Sequence, residues 1–384
     1  MPKKSATIAV DQRLVTWARE TTGLTVTALA KRIGVKPSVL KDWEKTGAQP
    51  TPRQLERLSD ATKRPLAAFF LPEPPTEPEL PDFRLPPGEE PLPLSGLSLL
   101  AIRRARRLQH VFAELARELG EAAATRLATV GLTDSPEEAA ARARDAVGVS
   151  LDDQTGWRDP DVALKIWRSR LEGLGVLVFQ FAMPPEEVSG FSLSNGVPAI
   201  VLNRRDHHSR RVFSLFHEWA HLLRGEAGLC EVVEGYGKES EAEVFCNAFA
   251  SAFLVPMRAF EQSAPFMGYR EHQVSLEDAA NEGARLFSVS RYVILRRLLT
   301  AQAISRNAYR RTVEAWEREP RPPKKKAKGG APPYLMTVSE LGPRFVSRVL
   351  AAHERGLIGD GDLSDYLTLR LKHLDRVHEL VPVA

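Results

Sequence analysis

A stretch dense in proline between residues 71 and 96 divides this 384-residue chain. Proline fixes its own backbone φ angle and has no amide hydrogen to donate, so this stretch cannot form a helix or a central strand. We therefore predict an extended, semi-rigid linker over residues 72–96, with separate folding units on its two sides. The prolines concerned are Pro72, Pro74, Pro75, Pro78, Pro81, Pro86, Pro87, Pro91 and Pro93.

A second linker is expected at residues 319–333, where prolines, lysines and glycines are mixed. The run of lysines within it is more typical of a solvated join than of a binding tail. Because the chain is long for one compact core, we predict a central region over residues 97–318 and a small helical C-terminal module over residues 334–384. The core of the central region is expected at about residues 164–260.

The cysteine content and the lack of a long apolar stretch favour a cytoplasmic protein. Only Cys230 and Cys246 are present, which is too few for a disulfide scaffold. The sequence has no run apolar enough for a membrane span, and no apolar segment typical of a secretory signal follows its first residues. The net charge of +4 is too small to predict nucleic-acid binding by itself.

Hydrophobic periodicity predicts a mainly α-helical chain with a small β-sheet. The region before the first linker is expected to form an all-α domain over residues 9–71. Two strand-like runs occur in the central region, at residues 176–181 and 198–202, and they predict an α+β core there. The predicted helices lie at residues 12–21, 25–32, 37–45, 52–62, 97–147, 161–171, 338–355 and 362–380, with further helix between the second strand and residue 316.

The pattern His-Glu-x-x-His at residues 217–221 is the most specific chemical signal. Residues four apart on a helix lie one turn above another, so the imidazoles of His217 and His221 face the same way. They supply two nitrogen ligands to one zinc ion and leave Glu218 beside the position that a water occupies. Because zinc lowers the pKa of that water, Glu218 can take its proton and pass it to a leaving amine. The pattern therefore predicts a zinc-dependent peptidase site.

A catalytic zinc ion needs a third protein ligand, and the next predicted helix offers several. Glu243 lies on a stripe of that helix whose neighbours are small, so this carboxylate is the natural third ligand. Glu239 and Glu241 lie close by and remain alternatives. A thiolate from Cys246 or Cys230 would also bind zinc, although small buried side chains are the more ordinary interpretation of both cysteines.

The two motifs together resemble those of the ImmA/IrrE metallopeptidases. The resemblance rests on residues 211–223 and on the run from Glu243 to Ala250 that ends at Pro256. The strands that precede these motifs in the family are echoed at residues 175–180 and 190–203, and the resemblance extends over about residues 164–299. It implies a zincin-like α+β core in which Glu243 is the third ligand of a His-His-Glu site of the gluzincin type. Cys246 stands where the family usually has alanine. Zn²⁺ is the implied cofactor, and Mn²⁺ could also bind because one ligand is a carboxylate.

The N-terminal domain resembles helix-turn-helix domains of the Xre/Cro type. Residues 24–44 have the apolar pattern of two helices joined by a turn that contains a glycine. In such a fold the second helix enters the major groove of double-stranded DNA, so that Lys36, Ser38 and Lys41 become the candidates for base contacts.

Two features leave DNA binding by this domain open. Asp42, Glu44 and Glu56 dilute its positive charge, and a fold alone does not establish a function. Docking onto another helix-turn-helix protein is the alternative function of this domain. Lys31 and Arg32 are the candidates for phosphate contacts if DNA is the partner.

Two further basic segments have an uncertain role. Residues 287–298 resemble a second helix-turn-helix element behind the peptidase core, with Arg296 and Arg297 in its second helix. Residues 103–107 place four arginines on one predicted helix. Solvated basic helix faces are the expected explanation for both segments.

The resemblance implies an intracellular zinc-dependent endopeptidase that regulates transcription. Its expected substrate is a helix-turn-helix repressor, cleaved after stress or in a mobile element. Its N-terminal helix-turn-helix domain (the head) is expected to bind DNA. One alternative is a transcriptional regulator whose metal site senses zinc or is structural. A second alternative is an antitoxin-like protein whose head binds a protein partner.

Overall fold

The computed structural model describes residues 6–75, 94–121, 130–131, 134–225, 229–231, 241–319 and 330–381, and only the backbone of residues 229–231. The described residues form two compact units. The first contains residues 6–75 and 94–104, and the second contains the described residues from 105 onward. None of the described helices is long and apolar enough to cross a membrane. The five-part division of the chain given above stays a prediction.

The first unit is all-α, as predicted. Its helices are capped by local sequence: Asp11 and Thr25 accept from backbone amides at the starts of the first two helices, and Thr51 forms a capping box with Gln54. Apolar side chains at helical spacing, among them Leu29 and Trp43, form its core. The helices are α1 (Gln12–Glu20), α2 (Val26–Ile33), α3 (Pro37–Lys45) and α4 (Pro52–Thr62), followed by a 3-10 helix (Leu66–Phe70).

The rest of the chain is mainly helical with one small sheet, which confirms the predicted fold class. The helices before and within the sheet region are α5 (Gly96–Glu118), α6 (Pro136–Val147), α7 (Leu151–Trp157), α8 (Pro160–Gly173), α9 (His208–Leu223) and α10 (Glu241–Leu254). The strands are β1 (Leu177–Phe181), β2 (Val188–Leu193), β3 (Ala199–Asn203) and β4 (Leu229–Glu231). The later helices are α11 (Met257–Glu261), α12 (Ala264–Arg270), α13 (Leu276–Phe287), α14 (Arg291–Thr300), α15 (Arg306–Arg318), α16 (Pro333–Leu341), α17 (Pro343–Glu354), α18 (Asp360–Leu367) and α19 (Leu374–Leu380), with a 3-10 helix (Leu371–His373) before the last.

The sheet has the strand order β1-β3-β2-β4. Strand β1 runs parallel to β3, whereas β2 runs antiparallel to both β3 and β4. Every residue of the first three strands is buried, so both faces of the sheet are covered. Hydrophobic periodicity predicted β1 and β3, and β2 overlaps the stretch from residue 190 that the family resemblance includes. Strand β4 was not predicted because it has only three residues.

Helix α9 lies in the middle of the second unit, packed against α8, α10, β2 and β3. Aromatic rings fix this packing: Phe216 of α9 stacks on Phe253 of α10 with centroids 4.0 Å apart, and Trp167 of α8 meets Phe216 edge-on at 5.1 Å. Such ring pairs stabilise a core beyond the burial of their area. Buried, stacked aromatic rings therefore hold together the two helices that carry the candidate metal ligands.

Buried side chains also hold the C-terminal end of α10. Arg144 donates to the carbonyl oxygen of Phe253 at 2.9 Å and to the Gln154 amide oxygen at 2.8 Å. Gln154 in turn donates to the carbonyls of Leu254 and Phe287, at 2.8 and 2.9 Å. These contacts satisfy helix-end carbonyls that would otherwise lack donors in the interior.

The C-terminal helices pack against the edge strand β1. The carbonyl oxygen of Ser339, in α16, accepts hydrogen bonds from Arg168 at 2.6 Å and from Gln180 at 3.0 Å. Arg168 is also paired with Glu172 at 3.0 Å, and the Glu172 carboxylate accepts from the backbone amide of Arg344 at 3.2 Å. These hydrogen bonds thus cover the β1 edge of the sheet. They join residues that are between 159 and 172 positions apart in the sequence.

Gly342 separates α16 from α17, so the continuous helix predicted over residues 338–355 is wrong. Its φ of +84° is unfavourable for residues with a side chain. A Cβ atom here would overlap the Glu172 carboxylate and lie 2.6 Å from the Arg168 Nη2 atom. Gly342 therefore combines a helix break with a close approach to the buried ion pair.

Candidate metal centre and nucleic-acid interface

Helix α9 places His217 and His221 on one face. The helix begins after His207, whose ring accepts from the Ser209 amide, and it continues for 16 residues. Both histidines are buried. Their Nε2 atoms lie 3.2 Å apart and point to the same place. The structure thus brings the two predicted nitrogen ligands together in the way that four-residue spacing requires.

Helix α10 adds Glu243 from its first turn. One carboxylate oxygen lies 3.1 Å from His217 Nε2 and the other lies 3.1 Å from His221 Nε2. Four-coordinate zinc with ligand bonds of about 2.0–2.1 Å places its ligand atoms about 3.3 Å apart. The three side chains are therefore close enough together to share a small cation.

Two effects act in opposite directions on the acidity of Glu243. Burial by itself would raise the pKa of this carboxyl group. Hydrogen bonds and charge interactions with His217 and His221 outweigh burial and hold its pKa well below the usual range. Glu243 is therefore ionised at neutral pH, which is the form that binds a cation.

Of the alternatives to Glu243, the two whose side chains the structure describes, Glu241 and Cys246, are not in this cluster. Within the side chains that the structure describes, the single group of His, Cys, Asp and Glu residues with metal-ligand spacing is His217, His221 and Glu243. Cys246 is buried in the apolar core of the second unit. Glu239 and the side chain of Cys230 lie outside the described residues.

Asn247 is a residue of the site to which the sequence assigned no role. Its Oδ1 atom lies 3.0 Å from the Nδ1 atom of His217. A hydrogen bond from Nδ1–H leaves the lone pair on Nε2, so this contact selects the tautomer that binds a metal. The four-residue spacing between Glu243 and Asn247 was the available signal, because it places both residues on one face of α10.

Glu218 lies beside the cluster and is completely buried, at 0% exposure. Its side chain rests on strand β2 at Gly190. A carboxylate in such a place can exchange a proton with a water held at the cluster. Gly190 is the second site residue without a predicted role. A glycine inside a strand pattern is a signal for close approach of another group.

The three candidate base-contact residues of the first unit are all accessible. Lys36, Ser38 and Lys41 are exposed, while Leu40 and Trp43 turn the other face of α3 into the core. This division is what a recognition helix needs, because its outer face must fit into the groove. Lys31 and Arg32 are exposed on the preceding helix.

The sequence indicated that Glu44 reduces the positive charge of the N-terminal domain, but its carboxylate is paired with Arg19. Both of its oxygens accept from the Arg19 guanidinium, at 2.6 and 3.1 Å, and its side chain is only 6% exposed. The ion pair neutralises the carboxylate at short range. Asp42 remains exposed on α3.

Helices α13 and α14 repeat the turn of the N-terminal helix-turn-helix. Each turn has three residues and starts with a left-handed residue, Gly34 with φ 72° in one case and Ser288 with φ 55° in the other. The next residue donates to the carbonyl five positions back, at 3.0 Å in both turns (Val35 to Ala30, and Val289 to Ala284). The local geometry therefore agrees with the predicted second element.

The second helix of this element is not a free basic surface. Arg297 is 1% exposed and forms a two-point ion pair with Glu137, at 2.5 and 3.1 Å. Val293, Leu295 and Leu298 are buried around it. The prediction of a solvated helix face is thus wrong for Arg297, because its side chain is buried and paired with Glu137 of α6. Arg103, in the other basic segment, donates to the Lys63 carbonyl at 2.9 Å at the end of α4.

The fold and the His-His-Glu cluster define a helix-turn-helix protein with a domain of the metallopeptidase class. Two family models match parts of the chain and agree with this assignment. Residues 171–299 match the model of a peptidase family described as the IrrE N-terminal-like domain, and residues 16–69 match a helix-turn-helix model. The chain therefore carries an IrrE N-terminal-like domain behind a helix-turn-helix domain, which confirms both resemblances. No curated protein and no solved structure matches the chain.

Proposed function

We propose that the chain is a metal-dependent endopeptidase whose active site consists of His217, His221, Glu243 and Glu218. The observation that carries this proposal is the cluster itself, whose facing atoms are separated by 3.1–3.2 Å. A buried carboxylate at Glu218, next to a ligand on the same turn of α9, favours catalysis. A purely structural metal site has no use for such a base.

Zinc is the proposed metal, held by His217, His221 and Glu243. Two imidazoles and one carboxylate form the ligand set of many catalytic zinc sites, in which water takes the fourth position. Mn²⁺ is the alternative, since one ligand is a carboxylate. A metal bound at this site would lower the pKa of a coordinated water and polarise the carbonyl of the peptide bond.

Glu218 is proposed to act as the general base. Its carboxylate takes the proton of the attacking water and later delivers it to the nitrogen of the leaving amine. Because bulk water is excluded around Glu218, charges act more strongly there than at the surface. Asn247 is proposed to keep His217 in the tautomer whose Nε2 faces the metal.

We also propose that the head binds double-stranded DNA. Lys36, Ser38 and Lys41 would contact base edges from the outer face of α3, and Lys31 and Arg32 would contact phosphates. The exposure of all five residues supports this assignment. With Glu44 neutralised by Arg19, the exposed charges on α2 and α3 are predominantly positive.

The proposed substrate is a helix-turn-helix repressor, and its cleavage would relieve repression after stress. A peptidase joined to a DNA-binding head can be brought close to a repressor on the same stretch of DNA. This arrangement raises the effective concentration of the substrate without any new contact.

The proposal is tested by comparing protein N-termini in cells of the source organism that carry either the wild-type chain or Glu218→Gln. We expect new N-termini inside a helix-turn-helix repressor only with the wild type, because glutamine cannot accept the proton. Glu241→Gln, at an exposed position of α10, is the matched control and should behave as wild type. Identical N-termini from wild type and Glu218→Gln would overturn the peptidase proposal and favour a regulator with a structural or sensory metal site.

A further inference from the structure

Strand β2 is irregular where it passes under Glu218. Its pairing with β4 shifts between Val188 and Gly190, so that the regular ladder is interrupted at this point. Such bulges bend a strand and are common next to active sites. On the other side, Gly190 pairs with Leu202 of β3. Backbone pairing with β3 and β4 therefore holds Gly190 on both sides.

The Glu218 side chain lies directly on the backbone of Gly190. A Cβ atom at this position would lie 3.2 Å from the Glu218 Oε1 atom and 3.3 Å from its Cγ atom. It would also lie 3.0 Å from the carbonyl oxygen of Val201, in β3. Non-bonded carbon atoms prefer separations of about 3.5–4.0 Å. An added methyl group would therefore make tight contacts here, and a neighbouring group would have to move by a few tenths of an ångström.

Backbone conformation does not explain this glycine. Gly190 is absent from the described glycines with positive φ, so its dihedral angles are open to other residues. The constraint comes from two neighbours, the carbonyl oxygen of Val201 and the side chain of Glu218. Val201 makes its contact through the backbone, which is held in the sheet ladder, whereas Glu218 makes its contact through side-chain atoms. An added methyl group would therefore displace Glu218.

We propose that Gly190 is a positioning residue for Glu218. By having no side chain, it lets the carboxylate lie flat on β2 beside the His-His-Glu cluster. This inference rests on the proposed function, in which Glu218 is the base. A displacement of about 1 Å in a catalytic group can reduce the rate about 100-fold. Because the contacts require a shift of only a few tenths of an ångström, Gly190→Ala should reduce kcat by about 3- to 10-fold and change KM little, since the three proposed metal ligands are kept.

A double-mutant cycle in stability tests the contact without any activity assay. The four full-length chains are wild type, Gly190→Ala, Glu218→Ala and the double variant. In the wild-type background the added methyl is expected to lower the unfolding midpoint by about 3–8 °C, as overpacking does. In the Glu218→Ala background the space is empty, and the same methyl should lower it by less than about 2 °C. The contact with Val201 is common to both backgrounds and cancels.

Gly173→Ala is the matched control, because a Cβ there meets no atom within 4 Å. It should leave the midpoint, the metal content and kcat near the wild-type values. Equal effects of Gly190→Ala in both backgrounds would overturn the proposed contact. Wild-type kcat in Gly190→Ala would overturn its positioning role. If the wild type itself cleaves nothing while the coupling is present, the proposed function has failed and the contact between the two residues stands.

Discussion

The Nδ1 atom of His217 lies 3.0 Å from the Oδ1 atom of Asn247, one turn of α10 beyond Glu243. One helix thus supplies a ligand to the cluster and also orients a ligand of the other helix. Helices α9 and α10 are consequently joined at the candidate metal site by side-chain contacts as well as by the stacked aromatic rings of their core.

Replacing Asn247 by alanine should weaken zinc binding by about 10- to 100-fold, because His217 loses the partner that fixes its tautomer. Asn247→Asp should retain most of the affinity, since a carboxylate also accepts from Nδ1–H. Competition with a chelating dye measures both constants, with the exposed Asn307→Ala as control. An unchanged affinity in Asn247→Ala would show that the hydrogen bond does not orient His217.

Gly342→Ala should destabilise the second unit by about 2–4 kcal/mol, because the new methyl overlaps the buried Arg168–Glu172 pair. Gly356→Ala is the matched control. Gly356 has a positive φ of 70°, and a Cβ there meets no atom within 4 Å, whereas Gly342 combines its φ of 84° with a ψ of 144°, a region open almost only to glycine. Backbone strain alone should cost about 1–2 kcal/mol in the control. Urea unfolding followed by tryptophan fluorescence measures the difference, and equal losses would mean that the close approach is unimportant.

Glu137→Gln should lower stability by about 1–2 kcal/mol, because it leaves the Arg297 guanidinium buried without its counter-charge. The loss is smaller than for a fully buried pair, since the Glu137 side chain is 43% exposed and partly screened by solvent. The neighbouring Glu138→Gln serves as the control in the same urea titration. Stability equal to that of the control would contradict a structural role for this pair.

Lys41→Ala should weaken binding to duplexes selected from a random pool by about tenfold, through the loss of a charged contact in the groove. Affinity of the wild type should fall steeply as salt rises, because phosphate contacts release counterions. Gel shifts at several salt concentrations measure both effects, with Lys372→Ala in the second unit as control. Failure to select any duplex, or affinity independent of salt, would favour a head that binds a protein partner.

Local signals in the sequence were sufficient for the parts of the site that lie on single helices. His217, Glu218 and His221 lie within five residues of one helix, so the spacing of the motif predicted that they lie close together. The helices of the first unit were predicted within about two residues because caps and apolar spacing agree there. The resemblance supplied Glu243, which the residues alone left beside several alternatives.

Contacts between distant segments were not predictable in the same way. Arg297 was expected in solvent because charged residues are rarely buried, and its partner Glu137 lies 160 residues away. The docking of Ser339 on Arg168 spans 171 residues and leaves no periodic pattern. Gly190 is meaningful only once Glu218 is known to lie above it. Each of these contacts depends on how distant segments pack in the folded chain, which local sequence patterns do not encode.

Metal content is the most direct measurement, made on the purified wild type, Glu218→Gln and the double variant His217→Ala/Glu243→Ala. We expect one zinc ion per chain in the first two proteins and none in the third, because Glu218 is proposed as the base and His217 and Glu243 as ligands. Cleavage of a helix-turn-helix repressor should occur with the wild type only. A wild-type protein without stoichiometric metal, or equal metal in all three proteins, would contradict the assignment of this cluster as the metal centre.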